Sequence, residues 1–264
     1  MNNIKRIGAG FLSLTSVSLL MLSPIDASAV VLGLYDIAGA TDGDAASLSA
    51  SSVDPAVSFS SLTRSGSLVA DSDWNEVDHM FEAGNWTANA SRSPTDYLQF
   101  SFSVASGYTV TPSSLTFGVF QEYVAGGNFV GPNKWDVLYS LDGFATAGSE
   151  LSVGNTITGS GTSVLRQASF SPSLSGLGTL AEGTTVTLRF YAYNRTGSQA
   201  FSAGGFGNGT GDVGAWLYTW EGTGANVVLN GSAAAVPEPH EYALVFGLGL
   251  AGFAAYRRFA LKAA

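Results

Sequence analysis

The chain has 264 residues, a formal net charge of −9 at pH 7 and no cysteine. Without cysteine it has no disulfide, no thiolate metal site and no cysteine nucleophile. Residues 30–235 hold six Arg/Lys against 17 Asp/Glu, a net charge of −11. Because so acidic a segment repels phosphate groups, we predict no nucleic-acid partner.

The N-terminal segment 1–29 has the pattern of a secretory signal peptide. Two basic residues near its start precede the apolar stretch Ile7–Leu22, and Ala27 and Ala29 supply the small residues of a cleavage site. We therefore expect an N-terminal signal helix that directs export and is removed after Ala29. The ectodomain would then be residues 30–235, a length that suits one β-sandwich.

The ectodomain consists of short apolar runs of period two, separated by Gly- and Ser-rich turns. In Tyr97–Val104, every second residue from Leu98 is apolar, which is typical of a half-buried antiparallel strand. Further strands are predicted at Val31–Ile37, Val57–Leu62, Tyr108–Thr111, Leu115–Tyr123, Lys134–Leu141, Val164–Phe170, Thr184–Asn194 and Ala225–Leu229. Nine or ten short strands predict an all-β fold, a single jelly-roll-like β-sandwich.

Candidate catalytic groups are few. His79 is the only histidine of the ectodomain, and it lies in the acidic segment Asp71–Glu82. A Ser-His-Asp triad would need His79, yet no Gly-x-Ser-x-Gly elbow accompanies it. Nothing in the sequence selects a pair of carboxylates for glycoside hydrolysis. We therefore predict a protein without catalytic residues that is not an enzyme.

Calcium is the one cofactor that the acidic loops suggest, because Ca²⁺ prefers carboxylate and carbonyl oxygens. The candidate ligands are Asp42, Asp44, Asp71, Asp73 and Asp78. Their spacing matches no EF-hand loop, since the glycine and the closing glutamate are missing. Solvated acidic loops are the favoured interpretation, with calcium as the alternative.

An aromatic row, Trp216, Tyr218 and Trp220, alternates with Leu217 and Thr219. In a strand the three rings share one face, where they would stack on sugar rings if exposed. The alternative is that they form ordinary sandwich core. Because Leu217 and Thr219 make a poor core face, the buried interpretation is favoured.

The C-terminal segment 236–264 has a Pro-Glu-Pro turn, an apolar segment and a basic end. These parts are Val236-Pro237-Glu238-Pro239, the charge-free Tyr242–Tyr256, and Arg257-Arg258. A 15-residue helix spans about 22 Å, less than a hydrocarbon core of about 30 Å. It becomes long enough if it continues to Leu261 while the arginines snorkel to the headgroups. We therefore predict a C-terminal transmembrane helix whose end lies in the cytoplasm.

This tail closely resembles the PEP-CTERM sorting signal of Gram-negative bacteria, which exosortases process. The match covers the last 29 residues, with the Pro-Glu-Pro turn, the Gly-rich apolar helix and the two arginines in the same order. The resemblance implies cleavage near Pro237–Pro239, and an exosortase and the secretion machinery as partners. It also implies an inner-membrane intermediate before the cell surface or extracellular matrix. A plain anchor that is never cleaved is the alternative; a GPI signal would end apolar, whereas this chain carries three positive charges after its apolar run.

Two internal stretches, residues 134–144 and 185–194, are also similar to PEP-CTERM ectodomains with a jelly-roll sandwich. This resemblance implies a fold but no activity. Together, the two ends of the chain predict an exported surface or matrix protein associated with exopolysaccharide or biofilm. The alternative is a carbohydrate-binding module at the cell surface, and an extracellular polysaccharide hydrolase comes third.

Overall fold

The computed structural model describes residues 30–37, 39, 45–70, 81–124, 128–129, 131–157, 165–195, 204–206, 226–236 and 239–263. Within these ranges the chain forms fifteen strands, a short 3₁₀ turn at Ser175–Leu177 and one α-helix, α1, at Pro239–Ala263. The strands are β1 Val30–Tyr35, β2 Ser47–Leu48, β3 Ser52–Val53, β4 Val57–Phe59, β5 Leu62–Arg64, β6 Phe81–Ala83, β7 Leu98–Val104, β8 Tyr108–Val124, β9 Asn128–Phe129, β10 Pro132–Ser140, β11 Ser149–Thr156, β12 Leu165–Phe170, β13 Thr185–Arg195, β14 Gly204–Phe206 and β15 Val227–Ala235. The predicted signal peptide, with Ala27 and Ala29, lies outside the described residues.

The strands form two sheets, and every described pairing is antiparallel. The first sheet has eight strands in the order β3-β1-β15-β8-β14-β6, with β9 and β12 also paired to β8. The second has seven strands in the order β11-β10-β13-β7-β5-β2, with β4 also paired to β7. The prediction of an all-β fold is thus confirmed, while the jelly-roll order stays a prediction.

The core lies between the inner faces of the two sheets. Along β7, Leu98, Phe100, Phe102 and Val104 are buried and the residues between them are half-buried, as the alternation predicted. Phe190 on β13 of the second sheet meets Phe117 and Phe206 of the first sheet, at ring-centroid distances of 5.2 and 4.9 Å. These edge-to-face contacts join the two sheets, which is the arrangement of a β-sandwich.

Strand β8 joins two predicted strands into one of 17 residues. The two predicted strands were Tyr108–Thr111 and Leu115–Tyr123, and the gap between them contains Pro112, which has no N–H to donate to a sheet. In the structure β15 adapts to this interruption with a register shift, since Asn230 pairs with Ser114 but Gly231 pairs with Pro112. Gly231 suits this position because an added Cβ would lie 2.6 Å from the carbonyl oxygen of Thr111. A bulge therefore carries the strand past the proline.

Strand β11 was not predicted. Its sequence SELSVGNT lacks a consistent alternation, and it lies at the edge of the second sheet. Its pairing with β10 contains two register shifts, and Gly154 within it has a φ of +68°. An irregular edge strand buries few side chains, so its sequence shows only a weak alternation of apolar and polar residues.

Helix α1 covers the predicted C-terminal helical segment and begins earlier, at Pro239. Proline is favoured in the first turn of a helix because its missing N–H has no partner there in any case. Within the described residues, however, no helix is both long enough and apolar enough to cross a membrane. The prediction of a transmembrane helix is therefore not supported; the charge-free stretch Tyr242–Tyr256 is short, and two arginines follow it at once.

Candidate ligand face and C-terminal tail

The second sheet turns one side away from the core, and we call this side the outer face. Along β13, Leu188 and Phe190 point to the core, so the alternate residues Arg189 and Tyr191 belong to the outer face. Gln99 of the neighbouring strand β7 pairs with Arg189, which brings side chains of both strands together there. The outer face is therefore polar and aromatic, whereas the inner face is apolar.

Arg189 is held in one position on the outer face. Its guanidinium carbon lies 4.0 Å from the ring centre of Tyr97 and 4.1 Å from that of Phe144. Its Nε donates a hydrogen bond of 2.8 Å to Oε1 of Gln99. The two terminal nitrogens carry no hydrogen bond within the described part of the chain. Arg189 thus offers a fixed, planar pair of donors.

The turn after β10 is held by side-chain hydrogen bonds and places Phe144 over Arg189. The backbone N–H of Phe144 donates to Ser140 Oγ at 2.9 Å, and the N–H of Thr146 donates to Asp142 Oδ2 at 3.1 Å. Hydrogen bonds from Ser140 and then Thr146 lower the pKa of Asp142 to about 2. Phe144 has a φ of +66°, a conformation that the turn stabilises. The ring is therefore positioned by local hydrogen bonds rather than by the core.

A second cluster secures the loop between β6 and β7. Arg92 of this loop bonds Asp136 Oδ2 at 2.9 Å and Glu150 Oε1 at 3.0 Å. Asp136 is buried, and its Oδ1 accepts bonds from the backbone N–H of Gly154 at 2.7 Å and from the hydroxyl of Tyr193 at 3.1 Å. Burial first, then the charge of Asp136, raises the pKa of Tyr193 to about 12.

These contacts anchor the loop to the sheet. Burial alone would lower the pKa of Arg92, but the hydrogen bonds that Arg92 donates to Asp136 and Glu150 outweigh it, so the pKa is raised. Arg92 therefore stays charged, and its hydrogen bonds to the two carboxylates are charge-assisted. The end of the same loop carries Tyr97, so the anchoring also positions that ring.

A groove of about 400 Å³ opens beside Tyr97. Its lining consists of Ser65, Gly66, Ser67, Pro94, Thr95 and Tyr97. Oδ1 of the buried Asp96 lies 2.7 Å from Ser67 Oγ and 3.0 Å from Thr95 Oγ1. The hydroxyls of Ser67 and Thr95 are thus bonded to one carboxylate, and Tyr97 is shared between the groove and Arg189.

The predicted ligand residues of the ectodomain lie outside the described residues. This holds for the aromatic row Trp216, Tyr218 and Trp220, for His79, and for all five candidate calcium ligands, Asp42, Asp44, Asp71, Asp73 and Asp78. Among the residues that the structure does describe, no group of three or more His, Cys, Asp or Glu is placed to hold a metal ion. Calcium binding therefore stays a prediction.

The predicted sorting signal is partly described. Val236 is exposed, and its N–H donates to the carbonyl of Gly107 at 2.8 Å, which ties the end of β15 to the sandwich. Pro237 and Glu238 lie outside the described residues, and Pro239 opens α1. Arg257 and Arg258 are exposed in the later part of that helix.

The sequence did not single out Tyr97, Phe144 and Arg189 as a site. Each was placed in or beside a predicted strand, but their meeting depends on segments far apart in the chain. The only local signal is an arginine at an outward position between apolar residues of β13. A charged residue there is exposed in most sheets, so the signal alone is weak.

Comparisons with known proteins do not show a family for this chain. No protein-family model matches the chain, and no curated protein matches it. Among solved structures, it is similar to the CBM22-1 xylan-binding domain of Paenibacillus barcinonensis Xyn10C, with 8% identity over 80% of this chain and 98% of that domain. The TM-score is 0.23, and a value this low carries no argument about fold or ligand.

Proposed function

We propose that this chain is an exported, non-enzymatic surface or extracellular-matrix protein that an exosortase processes through a PEP-CTERM tail, and that it associates with exopolysaccharide. One observation carries the proposal: an antiparallel sandwich with its own core is followed by a helix whose described side chains are all exposed. In this proposal the sandwich stays outside the cell, and the helix is part of the signal that the exosortase recognises.

The exposure of α1 supports a role for it beyond the fold. Leu244, Phe246 and Leu250 are 64%, 70% and 70% exposed. Large apolar side chains that remain exposed in a row mark contact with a membrane or another protein. The helix also carries Arg257 and Arg258, which suit the anionic cytoplasmic surface of a bilayer. We infer that α1 engages the inner membrane until processing.

The position of the Pro-Glu-Pro turn supports cleavage there. The hydrogen bond of Val236 to Gly107 ends the sandwich, and α1 begins at Pro239. A cut between them removes no residue of the described core. The sandwich would therefore survive processing intact.

The test replaces Pro237-Glu238-Pro239 by alanine in cells with an exosortase. We expect the wild type to lose its C-terminal residues, while the variant is exported but keeps Ala264 and stays with the inner membrane. Mass spectrometry of the C-terminus and membrane fractionation measure both. Pro55→Ala, which changes an exposed proline in a turn of the sandwich, is the control and should be processed like the wild type.

A wild-type tail that is not cleaved would contradict the proposal. If most wild-type molecules keep Ala264 in such cells, and loss of the exosortase changes nothing, the sorting proposal is wrong. The plain anchor would then be the better interpretation of the tail.

A second candidate, a carbohydrate-binding module, is favoured by the groove beside Tyr97 and the fixed donors of Arg189. The two candidates are compatible, because one concerns delivery and the other concerns what the delivered sandwich holds.

A further inference from the structure

We propose that the outer face of the second sheet binds a neutral sugar residue of a polysaccharide, with Arg189, Tyr97 and the groove beside Tyr97 as the site. The proposal rests on the proposed association with exopolysaccharide and assigns that association to named side chains. The predicted aromatic row Trp216, Tyr218 and Trp220 is not part of it.

Arg189 supplies the hydrogen-bond donors. The rings of Tyr97 and Phe144 lie on the guanidinium at 4.0 and 4.1 Å, and Gln99 occupies Nε. Since the terminal nitrogens carry no bond within the described residues, they can donate to two adjacent oxygens of a ligand. Little side-chain entropy is lost on binding, because the guanidinium is already fixed.

The groove supplies the acceptors. Ser67 and Thr95 donate to Asp96, and their oxygens also accept from Ser65 Oγ at 3.4 Å and Ser93 Oγ at 3.1 Å. Each hydroxyl therefore keeps one lone pair for a donor from a ligand. Ser65 is fixed as well, since its Oγ accepts the backbone N–H of Tyr97 at 3.1 Å. Donors at Arg189 and acceptors in the groove, with an aromatic ring between them, complement a molecule that carries hydroxyls and apolar C–H groups. A sugar has this combination.

The size of the groove limits the ligand. A volume of about 400 Å³ lies toward the lower end of small-molecule sites, which span about 300–1,000 Å³. The groove is open at the surface, so the site suits one sugar unit of a longer chain.

The negative charge of the ectodomain favours a neutral sugar over an acidic one as the ligand. The ectodomain has a net charge of −11, and the carboxylate of Asp96 is bonded to Ser67 and Thr95 of the groove lining. A chain of uronic acids would be repelled by this field, whereas a neutral chain is not. Arg189 can bond neutral hydroxyls without having to compensate that repulsion.

The experiment uses the full-length protein, purified in mild detergent. The exopolysaccharide of the producing cells is separated by anion exchange into a neutral and an acidic fraction. Affinity gel electrophoresis at 0.15 M salt then measures how strongly each fraction retards the protein. We expect retardation by the neutral fraction only, and an affinity lower by about tenfold or more in Arg189→Gln and in Tyr97→Ala.

Three variants make the test specific. Lys134→Gln removes one positive charge from the neighbouring strand β10 without touching the rings, and it should bind like the wild type. Arg189→Lys keeps the charge but loses the planar fork, so it should bind as poorly as Arg189→Gln. Tyr97→Phe keeps the ring and should retain binding. An unchanged unfolding temperature in each variant shows that the fold is intact.

Three results would overturn the proposal. They are retardation by neither fraction, retardation by the acidic fraction alone, and equal losses in Lys134→Gln and Arg189→Gln. None of these affects the processing of the tail, which is measured on the C-terminal mass. The failure of this site and the failure of the sorting proposal are thus distinguishable.

Discussion

Phenylalanine occupies opposite environments in the sandwich and in the C-terminal helix. Phe100 and Phe190 are 1% and 0% exposed, whereas Phe246 and Phe253 are 70% and 64% exposed. In the strands, alternation sends every second residue to one face, and a second sheet covers that face. In α1 the apolar residues occur on all sides, and nothing in the described chain buries them. The same residue type therefore builds a core in one region and an outward-facing surface in the other.

Paired substitutions of phenylalanine test this comparison with the largest expected effect. Phe190→Ala should lower the free energy of unfolding by about 3–5 kcal/mol, because the ring packs against Phe100, Phe117 and Phe206. Phe253→Ala in α1 should leave the unfolding of the sandwich unchanged. Urea titration followed by tryptophan fluorescence measures both. A comparable loss in Phe253→Ala would show that α1 packs on the sandwich.

The same comparison of buried with exposed positions applies to the two carboxylates that bind Arg92. Asp136 is buried, while the side chain of Glu150 is 56% exposed. Asp136→Asn should cost about 1.5–3 kcal/mol of stability, since a buried carboxylate with three donors is lost. Glu150→Gln should cost less than about 1 kcal/mol, as for other exposed pairs. Equal losses in urea titration would contradict the assigned difference in burial.

Substitution of two glycines tests the difference between a closely packed strand and an exposed helix. Gly231→Ala in β15 should destabilise the sandwich by about 1–3 kcal/mol, because its Cβ would collide with backbone atoms of Thr111 and Pro112. Gly249→Ala in α1 meets nothing within 4 Å and should strengthen the helix by up to about 1 kcal/mol. Circular dichroism follows the strand and helix signals of each variant. A stable Gly231→Ala sandwich would mean that the bulge beside Pro112 is free to move.

The smallest effect concerns the exposed turn that positions Phe144. The pKa of Asp142 is lowered from its ordinary value of 3.8 to about 2, so its charged form stabilises the folded state. This contribution is fully present above about pH 4 and is lost as the pH falls through about 2. Asp142→Asn should therefore be less stable than the wild type at pH 5, and the difference should shrink as the pH falls toward 2 and disappear below it. Thermal unfolding across this range would contradict the assignment if the difference were constant.

Strand prediction succeeded where alternation is regular and failed where it is not. Leu98–Val104 was recognised because four buried residues alternate with polar ones. The edge strand β11 was missed because its register shifts and Gly154 break the alternation. The gap predicted between Thr111 and Leu115 was wrong because a bulge in the pairing with β15 accommodates Pro112. Regular burial on one face leaves a pattern in the sequence, and irregular pairing at an edge does not.

The sequence by itself determined the all-β class and the position of the C-terminal helix, because both depend on local periodicity and on the placement of proline. Only the tertiary structure decided that Tyr97, Phe144 and Arg189 meet, since 45 or more residues separate each from the next in the chain. Antiparallel pairing of β7 with β13 brings the first and last together, and the turn after β10 adds the second. Long-range pairing of this kind depends on the order of the strands within the second sheet, which no local pattern of residues contains.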